Sequence, residues 1–272
     1  MATDRAFAGH TVVITGTSSG IGKSLARTLA IQGARVGLIA RRQPALEELA
    51  GEIREAGGNA AWAVADVGDR AALHRAVDAL IGELGPVDLM IANAGVGVPT
   101  TLEPINIDAI EETIRVNVMG VIYAIEATLP SMLARGSGQI AAISSLAAYK
   151  GMPGESAYCA SKAAVNAYME GLRVQVRGRG VAISTICPGF IHTPMTQTMT
   201  VMPFALTADQ AAERIVRAIA RKVKVYNFPR RTAALMWITR LMPDWVLALG
   251  FRDHLKNPPM PEGMPSVESR EV

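Results

Sequence analysis

The 272-residue chain holds only two cysteines, Cys159 and Cys187. Two thiols cannot build a disulfide framework, and neither has the Cys-x-x-Cys or Cys/His spacing that holds a metal. A reducing, cytoplasmic setting and no metal are the expectations. Charge is scarce too: 19% of residues are charged and the net charge is +3. So small an excess, with no DNA- or RNA-binding motif beside it, argues against a nucleic-acid partner. Long apolar runs are also missing. The longest stretch without formal charge, 180–208, is broken by Pro188, Pro194 and Pro203 and carries His192, so it is not read as a membrane span. Residues 1–8 carry Asp4 and Arg5 and no apolar segment, so no signal peptide is expected. Hydrophobic residues, by contrast, make up half of the chain, and 25 glycines with 15 prolines are ordinary. That composition suits a folded chain with a sizeable core in one large α/β unit.

Short apolar runs bounded by turn residues alternate with segments of helical period, the pattern of βαβ units around a parallel sheet. Strands are expected at 10–15, 35–39, 60–65, 88–92, 139–143, 181–186 and 224–226. Helices are expected at 21–32, 44–56, 69–84, 108–129 and 156–176, and another starts at Thr207, whose hydroxyl and Gln210 form a capping box. Leu46, Leu49 and Ile53 share one helical face, as do Leu73, Val77, Leu80 and Leu84. The expected fold is a single-domain, doubly wound, Rossmann-like parallel sheet of seven strands with helices on both faces. Domain bounds are set at 1–230 for the dinucleotide-binding catalytic unit, 231–257 for an amphipathic helical extension and 258–272 for a flexible tail.

The first strand runs into Gly16-Thr-Ser-Ser-Gly-Ile-Gly22 and then a helix. Glycines there permit a tight turn and close approach of the backbone to a pyrophosphate, which the free N–H groups and dipole of the helix stabilise. The spacing is Gly-x-x-x-Gly-x-Gly, not the general Gly-x-Gly-x-x-Gly. The second strand ends in Ala40-Arg41-Arg42. An acidic residue at that point would accept the ribose hydroxyls and repel a 2′-phosphate, whereas an arginine pairs with the phosphate. Ala40-Arg41 therefore favours NADP over NAD. A solvated arginine pair opening the next loop is the competing reading, weightier for Arg42 than for Arg41.

Tyr158-Cys-Ala-Ser-Lys162 places a phenol and an ammonium one turn apart on one helical face. A free phenol titrates near 10; a neighbouring cation favours the phenolate, and lowering the pKa by two to three units is worth roughly 3–4 kcal/mol. Cys159 lies about 100° round the helix and reads as packing.

Taken together these motifs resemble the short-chain dehydrogenase/reductase family over essentially residues 8–226. Gly16, Ser18, Ser19, Gly20, Ile21 and Gly22 resemble its cofactor turn, and Asp66-Val67 its adenine contact. Asn93-Ala94-Gly95 resembles its Asn-Ala-Gly motif and Asn117 its helix asparagine. Ser145 stands thirteen residues before Tyr158, the family's serine-to-tyrosine spacing. Pro188, Gly189, Ile191 and Thr193 resemble its nicotinamide-side loop. The resemblance implies hydride transfer between a nicotinamide and an alcohol or carbonyl carbon. Tyr158 would exchange the proton, Ser145 would bond the substrate oxygen, and Lys162 would lower the tyrosine pKa and bind the nicotinamide ribose. Asn117 would hold a water on the proton path. Ser144 reads as a strand-end residue, Asn93 as a hydrogen-bonder between strands, and His192 as a bystander.

Substrate choice should reside in 146–157 and 190–206. The second segment carries Met195, Met199, Val201, Met202 and Phe204 and no carboxylate or ammonium, which suits an apolar ketone, aldehyde or secondary alcohol. A cofactor-binding regulatory or membrane-surface protein with little catalysis is the alternative function. The resemblance also implies a homodimer or homotetramer paired through 108–129 and 156–176, which carry Val118, Ile122, Ile125, Val165, Tyr168 and Leu172. From Arg214 to Arg231 there are seven basic residues and no acidic one, followed by an apolar stretch with Trp237 and Trp245. That stretch either packs on its own domain or a partner subunit, or lies in a membrane interface.

Overall fold

A computed structural model describes residues 5–197, 199 and 201–250. In chain order the strands are β1 (Thr11–Thr15), β2 (Arg35–Ala40), β3 (Asn59–Val64), β4 (Leu89–Ala92), β5 (Gly138–Ile143), β6 (Val181–Pro188), β7 (Ile191–His192), β8 (Leu206–Thr207) and β9 (Val225–Phe228). The helices are α1 (Gly20–Ile31), α2 (Gln43–Glu55), α3 (Arg70–Leu84), α4 (Ile107–Ile114), α5 (Gly120–Arg135), α6 (Ser156–Gln175), α7 (Ala208–Ala220), α8 (Arg230–Leu241) and α9 (Asp244–Gly250). Seven strands form one parallel sheet in the order β3-β2-β1-β4-β5-β6-β9, and β7 pairs with β8 apart from it. The order reverses beside β1, which opens a crevice at the carboxyl ends of β1 and β4.

Alternation along β1 sends Val12 and Ile14 to one face and Val13 to the other. The first face is covered by α1, α2 and α7 through Leu25, Leu29, Leu46, Leu49 and Ile215. The second is covered by α3, α5 and α6 through Leu73, Leu80, Val121, Ile125, Val165 and Met169. Each of these side chains is fully or almost fully buried, worth about 1.5–3 kcal/mol apiece. Helix starts follow local chemistry. Asp69 caps α3 by accepting from the Ala72 N–H at 2.9 Å, and Thr207 and Gln210 bond reciprocally, each at 3.2 Å, at the start of α7.

Three expectations need correction. The helix expected at 108–129 is α4, a π-helical turn at Arg115–Met119 and α5, and within that turn the Asn117 side chain bonds the Val96 backbone. The whole of Ile107–Arg135 is long and apolar enough to cross a bilayer by length and composition, yet Val121, Ala124, Ile125 and Met132 are core residues under the sheet. Second, Ile125, Val165 and Leu172 are buried in the chain's own core, so of the apolar residues assigned to subunit pairing only Tyr168 is exposed, with Val118 and Ile122 half-buried. Third, the extension is two helices broken at Met242-Pro243. It packs on its own domain: Trp237 stacks on Tyr149 with ring centroids 6.0 Å apart, and Lys150 Nζ donates to the Met242 carbonyl at 3.3 Å. Residues 251–257 of the expected extension and the tail at 258–272 lie outside the described residues.

Candidate active site

A cleft of about 460 Å³ opens at the carboxyl ends of the central strands. Its near end is the turn after β1. Gly16 has φ +74°, and a Cβ there would sit 2.7 Å from Ala94 Cα; one on Gly22 would sit 2.2 Å from the Gly16 carbonyl oxygen. Only glycine lets these two backbones meet. Ser19, at the start of α1, is extended and makes no side-chain cap bond, so the first N–H groups of α1 stay open to the cleft that Ser18, Ser19, Gly20 and Ile21 line. Thr15 Oγ1 accepts from the N–H groups of Asn93 and Ala94, both at 3.0 Å, and Asn93 Nδ2 donates to the Thr15 carbonyl at 2.9 Å. Asn93 thereby ties β4 to the turn after β1.

Beside the ends of β2 and β3 the cleft is lined by Ala40, Arg41, Arg42, Asp66 and Val67. Arg41 is exposed, with Nη1 3.9 Å from Glu112 Oε1. Arg42 also lines the cleft and donates to the Ser18 carbonyl at 3.0 Å, which makes it less of a bystander than its sequence context suggests. Asp66 accepts from the Gly68 N–H at 2.9 Å and from Arg115 Nη2 at 3.0 Å. Burial works against its charge, yet the Gly68 N–H and the Arg115 guanidinium hold the carboxyl below its usual range. Arg115, at the start of the π-helical turn after α4, carried no sequence signal.

The far end gathers the chemistry. β5 ends at Ile143 and delivers Ser145 to the cleft, where its Oγ accepts from the Ala147 N–H at 3.1 Å. Tyr158 and Lys162 both line the cleft from α6. Lys162 is 4% exposed; its Nζ donates to the Ile143 carbonyl at 3.0 Å and lies 5.7 Å from the Tyr158 ring centre. Ser144 also lines the cleft, and its hydroxyl donates to the Lys162 carbonyl at 3.1 Å, tying the end of β5 to α6. Pro188, Gly189, Ile191 and Thr193 complete the wall, joined by Met195.

The electrostatics depart from expectation. Burial pushes the Tyr158 phenol up to about 12, outweighing the hydrogen bond with Ser145, and Glu155 adds to the rise. Burial likewise pulls Lys162 down to about 8. Among protein groups, therefore, the cation does not make Tyr158 a phenolate near neutrality: its ammonium is aimed at a carbonyl, and desolvation of the phenol is the larger effect. Asn117 bonds within the protein. It is fully buried and does not line the cleft; Oδ1 accepts from the Val96 N–H at 2.8 Å, and Nδ2 donates to the Val96 carbonyl at 2.9 Å and to Ser161 Oγ at 3.0 Å. With both amide hydrogens used inside the protein, its side chain fixes the segment after β4 against α6. Cys159 and Cys187 are buried thiols, and among the described residues no cluster could hold a metal.

The glycine cradle, the open helix start and the long cleft between Arg41 and Lys162 fit an adenine dinucleotide. A family model for short chain dehydrogenases matches residues 10–203. The chain belongs to the short-chain dehydrogenase/reductase family. An uncharacterized oxidoreductase of Myxococcus xanthus is 37% identical over 236 residues, covering 86% of this chain and 93% of the relative. The ketoacyl reductase HetN of Nostoc is 33% identical over 217 residues, covering 79% and 76%. Among solved structures, levodione reductase superposes with a TM-score of 0.77 at 25% identity, covering 84% of this chain and 99% of that one. A gluconate 5-dehydrogenase from Burkholderia cenocepacia, solved with NADP and tartrate, gives 0.76 at 26% identity, covering 84% and 96%. The protein is an NAD(P)-dependent dehydrogenase/reductase acting on alcohol or carbonyl groups.

Proposed function

We propose that this short-chain dehydrogenase/reductase uses NADP(H) to interconvert the carbonyl and secondary alcohol of an apolar small molecule, with Tyr158 as the proton-exchanging group. The observation that carries the reading is the meeting of Ser145, Tyr158 and Lys162 at one end of a dinucleotide-sized cleft. The turn at Gly16–Gly22 and the start of α1 would hold the pyrophosphate, Asp66 and Val67 the adenine side, and Gly189, Ile191 and Thr193 the nicotinamide side. Bound NADPH supplies the hydride. A Tyr158 phenol near 12 is protonated at neutral pH, so it is set to donate when the carbonyl oxygen becomes an alkoxide. Ser145 Oγ donates to the same oxygen as its charge grows. Lys162, titrating near 8, is still cationic at pH 7 and stabilises the tyrosinate left behind. Asn117 acts as a positioning residue through Val96 and Ser161.

An NADP preference is supported by Arg41 and Arg42, which line the cleft after β2 where no carboxylate replaces them, and by the gluconate 5-dehydrogenase relative, which was solved with NADP. An apolar substrate is supported by Met195 at the cleft and by 190–206, which carries no carboxylate or ammonium. Fluorescence titration with NADPH and NADH, followed by turnover on a carbonyl panel, tests the reading. Tyr158→Phe should keep cofactor affinity and lose at least about a hundredfold in turnover. NADH binding as tight as NADPH, or undiminished turnover in Tyr158→Phe, defeats it.

A further inference from the structure

In an ordinary surface helix the apolar face turns inward. α8 does the reverse. At about 100° per residue, Leu235, Trp237, Ile238 and Leu241 fall on one arc of roughly 160°, and all four are exposed, Leu241 at 85%. The opposite face meets the domain through the small side chain of Thr232, whose methyl a Cβ on Gly189 would approach to 2.9 Å. Trp245 and Leu249 on α9 continue the outward apolar series, at 67% and 53% exposure.

A second apolar segment adjoins this one. Val201 and Phe204, in the loop between β7 and β8, are exposed at 76% and 50%, and Arg231 at the start of α8 lies over the Phe204 ring at 5.6 Å. The same loop contributes Met195 to the cleft, and Trp237 stacks on Tyr149, four residues after Ser145. The outward face of α8 and the loop thus form one apolar rim beside the cleft mouth.

The charges around the rim decide what fits it. Arg230 and Arg231 lie on the exposed arc at its N-terminal end, and Arg240 packs its guanidinium 5.5 Å from the Trp237 ring. Between Arg214 and Pro243 there is no acidic residue, and Asp244 lies 3.7 Å from Lys150 Nζ. Leu102, Ile105 and Ile107 are exposed too, but Glu103 and Asp108 accompany them in sequence. A second copy of this chain would bring the same positive charge against itself. An anionic phospholipid surface meets both features, taking the tryptophans at the headgroup level and the arginines against phosphate.

We propose that the outward face of α8 and α9, with the 201–204 segment, docks on an anionic bilayer and holds the cleft mouth at the membrane surface. The inference does not rest on the catalytic reading, since it concerns binding alone. The full chain is floated with vesicles of phosphatidylcholine and with vesicles containing 30% phosphatidylserine, at low and high salt. Binding should be at least about tenfold stronger to the anionic vesicles and should fall with salt. Ile238→Glu/Leu241→Glu and Arg230→Glu/Arg231→Glu should each cost at least about tenfold while keeping the melting temperature and NADPH affinity. Absence of binding to anionic vesicles at low salt overturns the proposal, as does equal binding by the correctly folded variants, which would place the contact elsewhere. Loss of an oligomer in Ile238→Glu/Leu241→Glu with vesicle binding retained would make this face a subunit interface and overturns it also.

Discussion

Replacing Lys162 by methionine should make the protein more stable and less active at once. The ammonium is 4% exposed, and its one hydrogen bond among the described residues goes to the Ile143 carbonyl at 3.0 Å. Burial takes its pKa from 10.5 to about 8 against a small opposing effect of Cys187. At 1.36 kcal/mol per unit, keeping the charge inside at pH 7 costs on the order of 3 kcal/mol. Methionine has a similar length and no charge, so it recovers that cost but leaves the Ile143 carbonyl without its donor, a loss of about 1–2 kcal/mol. A net gain of about 1–2 kcal/mol at pH 7 follows. The sign of the pH dependence is fixed by the same shift: between pH 8 and 10.5 the unfolded chain binds more protons at this lysine than the folded one. Wild-type stability therefore rises with pH across that window, and the advantage of the variant shrinks by about 1 kcal/mol between pH 7 and pH 9. Urea denaturation at both pH values measures this, and NADPH turnover should fall at least about a hundredfold alongside. A variant destabilised at pH 7, or an advantage unchanged at pH 9, would show that burial does not govern this amine.

Further tests follow from the cofactor end. Arg41→Ala should weaken NADPH by about 2 kcal/mol, roughly thirtyfold, and leave NADH little changed, whereas Glu112→Gln, which removes the carboxylate 3.9 Å from Arg41, should tighten NADPH several-fold; fluorescence titration reads both. Gly22→Ala forces a methyl to 2.2 Å from the Gly16 carbonyl oxygen, a backbone atom that cannot swing aside, so cofactor affinity should fall at least about tenfold and stability by about 1–3 kcal/mol in thermal denaturation. Asn117→Ala should leave two Val96 backbone groups and Ser161 short of partners, lowering stability by about 2–3 kcal/mol in urea titration together with turnover; an unchanged midpoint would free Asn117 from its positioning part.

Local chemistry and spacing made much of this protein legible before folding was considered. A glycine-rich turn between a strand and a helix needs no distant partner to be read, because the demand for a bare backbone is local. Tyr158 and Lys162 share a helical face by periodicity alone, and the capping box at Thr207 is a four-residue arrangement. The parallel sheet followed from apolar runs alternating with helical ones, since each side chain's face is set by the period of its own element. Long-range contacts decided the rest. The side-chain partner of Asn117 is the backbone of Val96, twenty-one residues earlier, and the pair meets at a π-helical turn. Arg115 reached Asp66, forty-nine residues away, without any motif. Spacing singles out Tyr158 and Lys162, but their protonation is set by how much of the assembled core covers them. A pKa measures desolvation by the whole surroundings, and no pattern along the chain records it. The outward turn of α8 has the same origin: its apolar period marks a face, and only the packing of Thr232 against Gly189 decides which way that face points.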